Sequence, residues 1–132
     1  MVPCKIAEYL QDESDTDDEL LLSEGVRENY KKVMDIVTPQ DNNSMCFTKA
    51  YTHYYQGTGS IVSISRVGCG GKKQVFLRFF SSREISNLLG FPKHFKFPAD
   101  MTNRQRYRVL GNSLNVTVVS HLLNLLLSDC KL

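Results

Sequence analysis

The chain has 132 residues, the size of one ordinary domain, with 42% hydrophobic and 23% charged residues, which excludes a wholly disordered polymer. No run of about 18 apolar residues is present to make a membrane helix, and the start, Met1-Val2-Pro3-Cys4-Lys5, turns acidic at once and lacks the basic and apolar parts of a signal peptide. The expectation is a cytoplasmic and/or nuclear chain with no membrane partner. The net charge of +2 hides an asymmetry: residues 1–44 hold 4 Lys/Arg against 11 Asp/Glu, and residues 45–132 hold 12 against 3. A basic half of this size fits a polyanion or a plain solvated surface.

Three stretches organise the chain: an acidic helical segment over 1–44, short strands over 45–80 and helices over 81–132. Residues 5–11 read as a short helix with Ile6, Tyr9 and Leu10 on one face. The acidic run Asp12–Glu19 reads as a solvated loop or helix entry. Val26 to Val37 has near-helical apolar spacing and stops at Thr38-Pro39. After the turn-like Asp41–Ser44, Met45–Thr48 and Ser60–Ile64 read as extended, with Tyr51, Tyr54 and Tyr55 between them. Gly68–Gly71 is a turn. Gln74–Phe80 alternates, with Val75, Leu77 and Phe79 facing one way and Phe76, Arg78 and Phe80 the other, which is a strand pattern.

The last third has clear punctuation. Ser81 and Glu84 form a capping box for a helix that stops at Gly90. Thr102 and Gln105 form a second, opening a helix that ends near Leu110-Gly111. Asn112-Ser113 then reads as the start of a final helix to about Leu127, so apolar all round that it demands burial on most sides. Such a helix points to a partner domain outside this chain. Arg104, Arg106 and Arg108 alternate along the second helix and do not share one face. Cys4, Cys46, Cys69 and Cys130 are widely and irregularly spaced, none at metal-ligand spacing from His53, His94 or His121, so no metal site is expected and the thiols read as reduced.

Three ordered blocks carry a resemblance: Cys46-Phe47-Thr48-Lys49 with Tyr51 and Gly57-Thr58-Gly59-Ser60; Leu77–Ser81 with Ile85 and Asn87–Pro92; and Gln105–Val116, containing Gly111-Asn112-Ser113-Leu114. Over residues 45–128 the chain resembles the C-terminal part of the cytosine-5 methyltransferases. The Cys-Phe-Thr block is similar to the recognition segment of the branch that modifies the anticodon-loop cytosine of aspartate tRNA. The resemblance implies an α+β piece: a target-recognition segment plus a C-terminal helix that packs on a Rossmann-like α/β domain. It implies S-adenosylmethionine as cofactor, with Asn112, Ser113 and Leu114 in the cofactor wall. It implies tRNA as partner, with Cys46, Phe47, Thr48, Lys49 and Tyr51 in substrate recognition. His53, Lys72 and Lys73 add residue types suited to RNA, through stacking and phosphate contact. The bland readings are a plain helix cap at Asn112-Ser113 and a core position for Phe47, with Tyr54 and Tyr55 open.

The family's chemistry needs a thiolate that adds to the base, here expected after two prolines, and a glycine-rich cofactor loop after a first strand. Pro3-Cys4 follows valine at the chain start, and Cys46 falls in the recognition segment. Neither Gly57-Thr58-Gly59 nor Gly68-Cys69-Gly70-Gly71 has the strand-loop-helix setting. No catalytic residue is assigned, and the chain is expected to be inactive without an N-terminal catalytic domain. A stand-alone RNA-binding module, a short inactive isoform, and an enzyme completed by a second chain remain the alternatives.

Overall fold

The alternation along Gln74–Phe80 is realised in a hairpin. In a computed structural model, which describes residues 3–130, strand β2 (Ile61–Val67) pairs antiparallel with β3 (Lys73–Phe79), in register from Ile61 opposite Phe79 to Val67 opposite Lys73. The two-residue β1 (Ile36–Val37) joins the other edge of β2 in parallel, which gives the sheet order β1-β2-β3. With helices α1 (Glu24–Tyr30), α2 (Ser82–Leu88), α3 (Asn103–Gly111) and α4 (Val116–Asp129), the class is the expected α+β.

The helix read from Val26 to Val37 is therefore shorter. It ends at Tyr30, and Ile36–Val37 are extended because β2 offers a ladder to β-branched residues, which fit it better than a helix. Met45–Thr48, expected to be extended, forms no strand; its ends are tied to the loop before β2, with Met45 N–H donating to Ser60 Oγ at 2.8 Å and Thr48 N–H to Thr58 O at 2.8 Å. The N-terminal segment is a series of 3-10 turns, Ile6–Tyr9, Glu13–Asp15 and Asp18–Leu20, which buries Ile6 and Leu20. Leu22 then donates its N–H to Leu77 O at 2.9 Å, so this segment closes the free edge of β3.

The sheet separates two apolar clusters. Phe80, Val62, Ile85, Tyr51, Tyr107 and Leu110 lie at the centre of the larger, under α2 and α3. Met34, Ile61 and Leu77 form the smaller on the opposite face. The larger cluster contains a buried ion pair. Arg78 and Glu84 are both fully buried, with Arg78 Nη1 2.8 Å from Glu84 Oε2 and Nη2 2.9 Å from Oε1. The same carboxylate accepts the Ser81 N–H at 2.8 Å, closing the expected capping box, and the Gln11 N–H at 3.0 Å. Burial alone would lower the Arg78 pKa, but the hydrogen bonds and charge of Glu84 hold it above its ordinary value. Glu13 lies 3.5 Å from Arg78 and 3.0 Å from Arg66. The acidic run is thus not wholly solvated: Glu13, still partly exposed, lies within ion-pair distance of both arginines.

α4 is the one long helix with no buried residue. Leu122, Leu123, Leu125, Leu126 and Leu127 are each more than half exposed. The apolar stretch Asn103–Asp129 is long enough by composition to cross a membrane, but it is two helices parted at Asn112–Asn115. The 14 residues of α4 span about 21 Å at 1.5 Å per residue, short of a hydrocarbon core of about 30 Å.

Removing the charge of Glu84 while keeping its shape leaves Arg78 buried and uncompensated. Glu84→Gln is expected to lower the unfolding free energy by about 3–5 kcal/mol, whereas Glu13→Gln, at a partly exposed carboxylate, costs no more than about 1 kcal/mol. Urea unfolding of the two variants measures both, and equal losses would refute this ranking.

Candidate nucleic-acid interface and cofactor-side corner

Residues 48–58 are stapled to the fold from within. Thr48 O accepts the Tyr51 N–H at 3.0 Å, Ala50 O the His53 N–H at 2.9 Å, and Tyr54 O the Thr58 hydroxyl at 2.7 Å. Between these turns Thr52 takes φ +72°, a left-handed conformation that is costly for a β-branched residue. The Tyr51 ring runs inward. Its hydroxyl donates to Ser60 O at 2.6 Å and accepts the Phe80 N–H at 2.9 Å, while the Tyr107 hydroxyl donates to Phe80 O at 2.8 Å. Both backbone polar groups of Phe80 are therefore held by tyrosine hydroxyls, one from the 48–58 loop and one from α3.

The segment and α3 enclose a cleft of about 410 Å³, lined by residues 49–53 with Arg104 and Arg108. Arg104 and Arg108 are four residues apart and so share one face of α3; the three arginines together do not share one face, as expected, because Arg106 points elsewhere. Arg106 turns the other way and lies over the Phe97 ring at 5.4 Å. Among the described residues, none of Lys49, Arg104 and Arg108 is within ion-pair distance of a carboxylate. Exposed His53 and Tyr54 stack edge to face at 4.5 Å. The result is a cationic cleft beside exposed aromatic surface, the combination that takes single-stranded RNA. The i, i+4 spacing of Arg104 and Arg108 was the signal that sequence reasoning passed over.

The named recognition residues are brought together, but not all face outward. Cys46 and Lys49 are exposed, Thr48 is half-buried, and Phe47 packs half-buried against Tyr51 and Phe80. Tyr51 is a core residue at 3% exposure, so its ring is not free to stack on a base. Lys72 and Lys73 sit at the distant β2–β3 turn, outside the cleft lining.

Asn112, Ser113 and Leu114, the residues expected to line a cofactor, lie at the α3–α4 corner. Asn112 and Ser113 do not open a helix: Asn112 is the C-cap of α3, donating to Arg108 O and Val109 O, and Ser113 donates its N–H and hydroxyl to Leu110 O. α3 continues far enough to absorb those amides, and the helix start falls at Asn115, whose side chain accepts from Val118 N–H at 3.0 Å. The groups left for a ligand are the exposed Asn112 side chain, exposed Leu114, and the Leu114 N–H, which has no partner among the described residues. Amide donors beside an apolar side chain fit an amino-acid carboxylate and its apolar neighbour. Gly111 ties this corner to the cleft, because a Cβ there would strike the backbone of Thr48 and Lys49. Gly90, at φ +76°, does the same between α2 and α4, where a Cβ would meet Thr117.

A model of the C-5 cytosine-specific DNA methylase family matches residues 5–128. The human tRNA (cytosine(38)-C(5))-methyltransferase is 38% identical over 138 residues, covering 92% of this chain and 35% of the human protein. The Schizosaccharomyces pombe tRNA (cytosine(38)-C(5))-methyltransferase is 38% identical over 130 residues, covering 93% of this chain and 39% of that protein. The crystal structure of the S. pombe Dnmt2 methyltransferase aligns with a TM-score of 0.80 at 34% identity, over 97% of this chain and 43% of that one. The chain thus spans about a third of the length of these curated relatives.

Burial pushes the phenols of Tyr51 and Tyr107 above the ordinary value of 10.0. With both pKa values raised in the fold, the stability of the neutral phenols is complete below pH about 10 and is lost as the pH rises further, because only the unfolded chain ionises there. Alkaline titration should show the tyrosinate absorbance of Tyr51 and Tyr107 appearing only together with unfolding. Ionisation of all tyrosines before any loss of helical circular dichroism would contradict this.

Proposed function

This chain belongs to the C-5 cytosine-specific DNA methylase family, and from that premise we propose that it is the recognition and cofactor-wall part of a tRNA cytosine-5 methyltransferase. The observation that carries the reading is the join at Gly111, where the cationic cleft and the Asn112–Leu114 corner meet through a close backbone contact. In this reading Lys49, Arg104 and Arg108 hold phosphates of an anticodon-loop strand, that of aspartate tRNA. Tyr54 and His53 offer stacking surface at the rim. Cys46, Phe47 and Thr48 shape the approach, and Tyr51 acts from within, fixing the segment to Phe80.

S-adenosylmethionine would lie against Asn112, Ser113 and Leu114 and supply the methyl group when bound. The thiolate nucleophile and the glycine-rich loop come from a Rossmann-like domain outside this sequence. The leucines of α4, exposed here, are the surface that domain covers, burying roughly 1.5–3 kcal/mol of transfer free energy per side chain. Methyl transfer then requires that domain, and RNA contact does not.

The test is fluorescence anisotropy of a labelled aspartate tRNA transcript with this chain at graded salt. Log affinity should fall linearly with log salt, and Arg104→Gln/Arg108→Gln should weaken binding and reduce the slope by about two. No tRNA binding by the chain, or an unchanged slope in the double variant, would refute the assignment of the cleft.

A further inference from the structure

A second basic surface lies on the other side of α3. The segment Phe91–Pro98 is a turn held from several directions. Phe91 N–H donates to Ser86 O at 3.0 Å, Phe95 N–H to Pro92 O at 2.9 Å, and the Arg83 guanidinium donates to Phe95 O at 2.7 Å and Lys93 O at 2.8 Å. Prolines stand near both ends. The turn presents Lys93, His94 and Lys96 to solvent, all exposed. It forms a shallow surface groove of about 520 Å³ with Arg83 and Arg106, and no acidic residue lines it. Asp15 and Asp17 line the adjoining cleft behind Arg83 and Arg106, but among the described residues no carboxylate is within ion-pair distance of any cation of this groove.

Its aromatic content separates this surface from a merely solvated charge. Phe95 packs on Phe91 at 4.7 Å and edge to face on Phe97 at 5.1 Å, yet unlike those two it is not packed against the core cluster. It is a half-exposed ring held among four cations by a turn already fixed in shape. Long cations usually lose affinity to the entropy of ordering them; here the backbone that carries Lys93 and Lys96 is ordered in advance by Arg83.

Resting on the tRNA reading above, we infer that Lys93, Lys96 and Phe95 form a second RNA contact, in which the lysines take backbone phosphates and Phe95 stacks on an unpaired base. α3 lies between the two contacts, with Arg104 and Arg108 on one side and Arg106 on the other, so a single RNA crosses it and engages both.

The experiment titrates this chain with aspartate tRNA and, in parallel, with poly-glutamate, a polyanion without bases. Lys93→Gln/Lys96→Gln should lower the salt slope for tRNA by about 1.5, with an unchanged melting temperature. Phe95→Leu should weaken tRNA binding about fivefold or more at fixed salt and leave poly-glutamate binding unaltered. Wild-type binding that survives the lysine double variant with its slope intact overturns this second contact and leaves the cleft assignment standing. Loss of the Arg104/Arg108 dependence with retention of the Lys93/Lys96 dependence refutes the cleft alone. Equal effects of the lysine variant on both ligands, with no effect of Phe95→Leu, would make the groove a general anion surface and refute RNA stacking.

Discussion

A guanidinium and a carboxylate sealed from water need each other as partners, and Arg78 and Glu84 meet through two hydrogen bonds across the junction of β3 and α2, with only the buried Arg78 Nε left without a partner in this pair. Their partners are set by where the chain can go. Glu84 also caps α2 through the Ser81 N–H and receives the Gln11 N–H, so one carboxylate fixes the strand, the helix and the N-terminal segment. A pair this deep adds little net stability over an apolar replacement; what it does is penalise any arrangement that separates its members. Two residues on from Arg78, the Phe80 peptide is gripped by the hydroxyls of Tyr51 and Tyr107. The loop that lines the cleft and the helix that supplies its arginines are thereby referred to one point.

That reference point explains how a loop with no strand of its own can form a rim. Residues 48–58 hold a left-handed Thr52 and a tight contact with Gly111, neither of which local propensity favours. Their positions are imposed by the buried ring of Tyr51. The division of charge follows the same logic. The acidic segment spends Glu13 on Arg66 and Arg78, inside and at the edge of the sheet. The cations of α3 and of the Phe91–Pro98 turn are left without carboxylate partners among the described residues, and Arg104, Arg108, Lys93 and Lys96 are exposed.

What could be read in the sequence was local. Ser81 with Glu84 and Thr102 with Gln105 are three residues apart, so their capping boxes depend on nothing distant, and both helices begin where those residues place them. The alternation in β3 was legible because its two faces meet different clusters. The readings that failed depended on partners far along the chain. Ile36–Val37 continue a helical pattern until β2, more than twenty residues on, recruits them as a strand. Asn112-Ser113 looks like a helix start until α3 runs on and consumes their amides. Glu13 looked solvated because Arg66 and Arg78 are remote in sequence. Of the site, the motif blocks and Lys49 were legible, while the shared face of Arg104 and Arg108 was present in the spacing and was masked by Arg106 between them. The inward turn of Tyr51 had no local signal.

Native-state hydrogen exchange of Tyr51→Phe tests most directly whether the 48–58 loop and α3 are held through Phe80. The substitution removes one oxygen and keeps the ring in the core. If the account is right, exchange speeds up at the Phe80 amide and, with it, at Tyr51 and His53 in the loop and at Asn112 and Ser113 at the end of α3, while the β2–β3 hairpin distal to them keeps its protection. A change confined to Phe80 would contradict it, and would mean that the loop and the helix are each placed by their own local contacts.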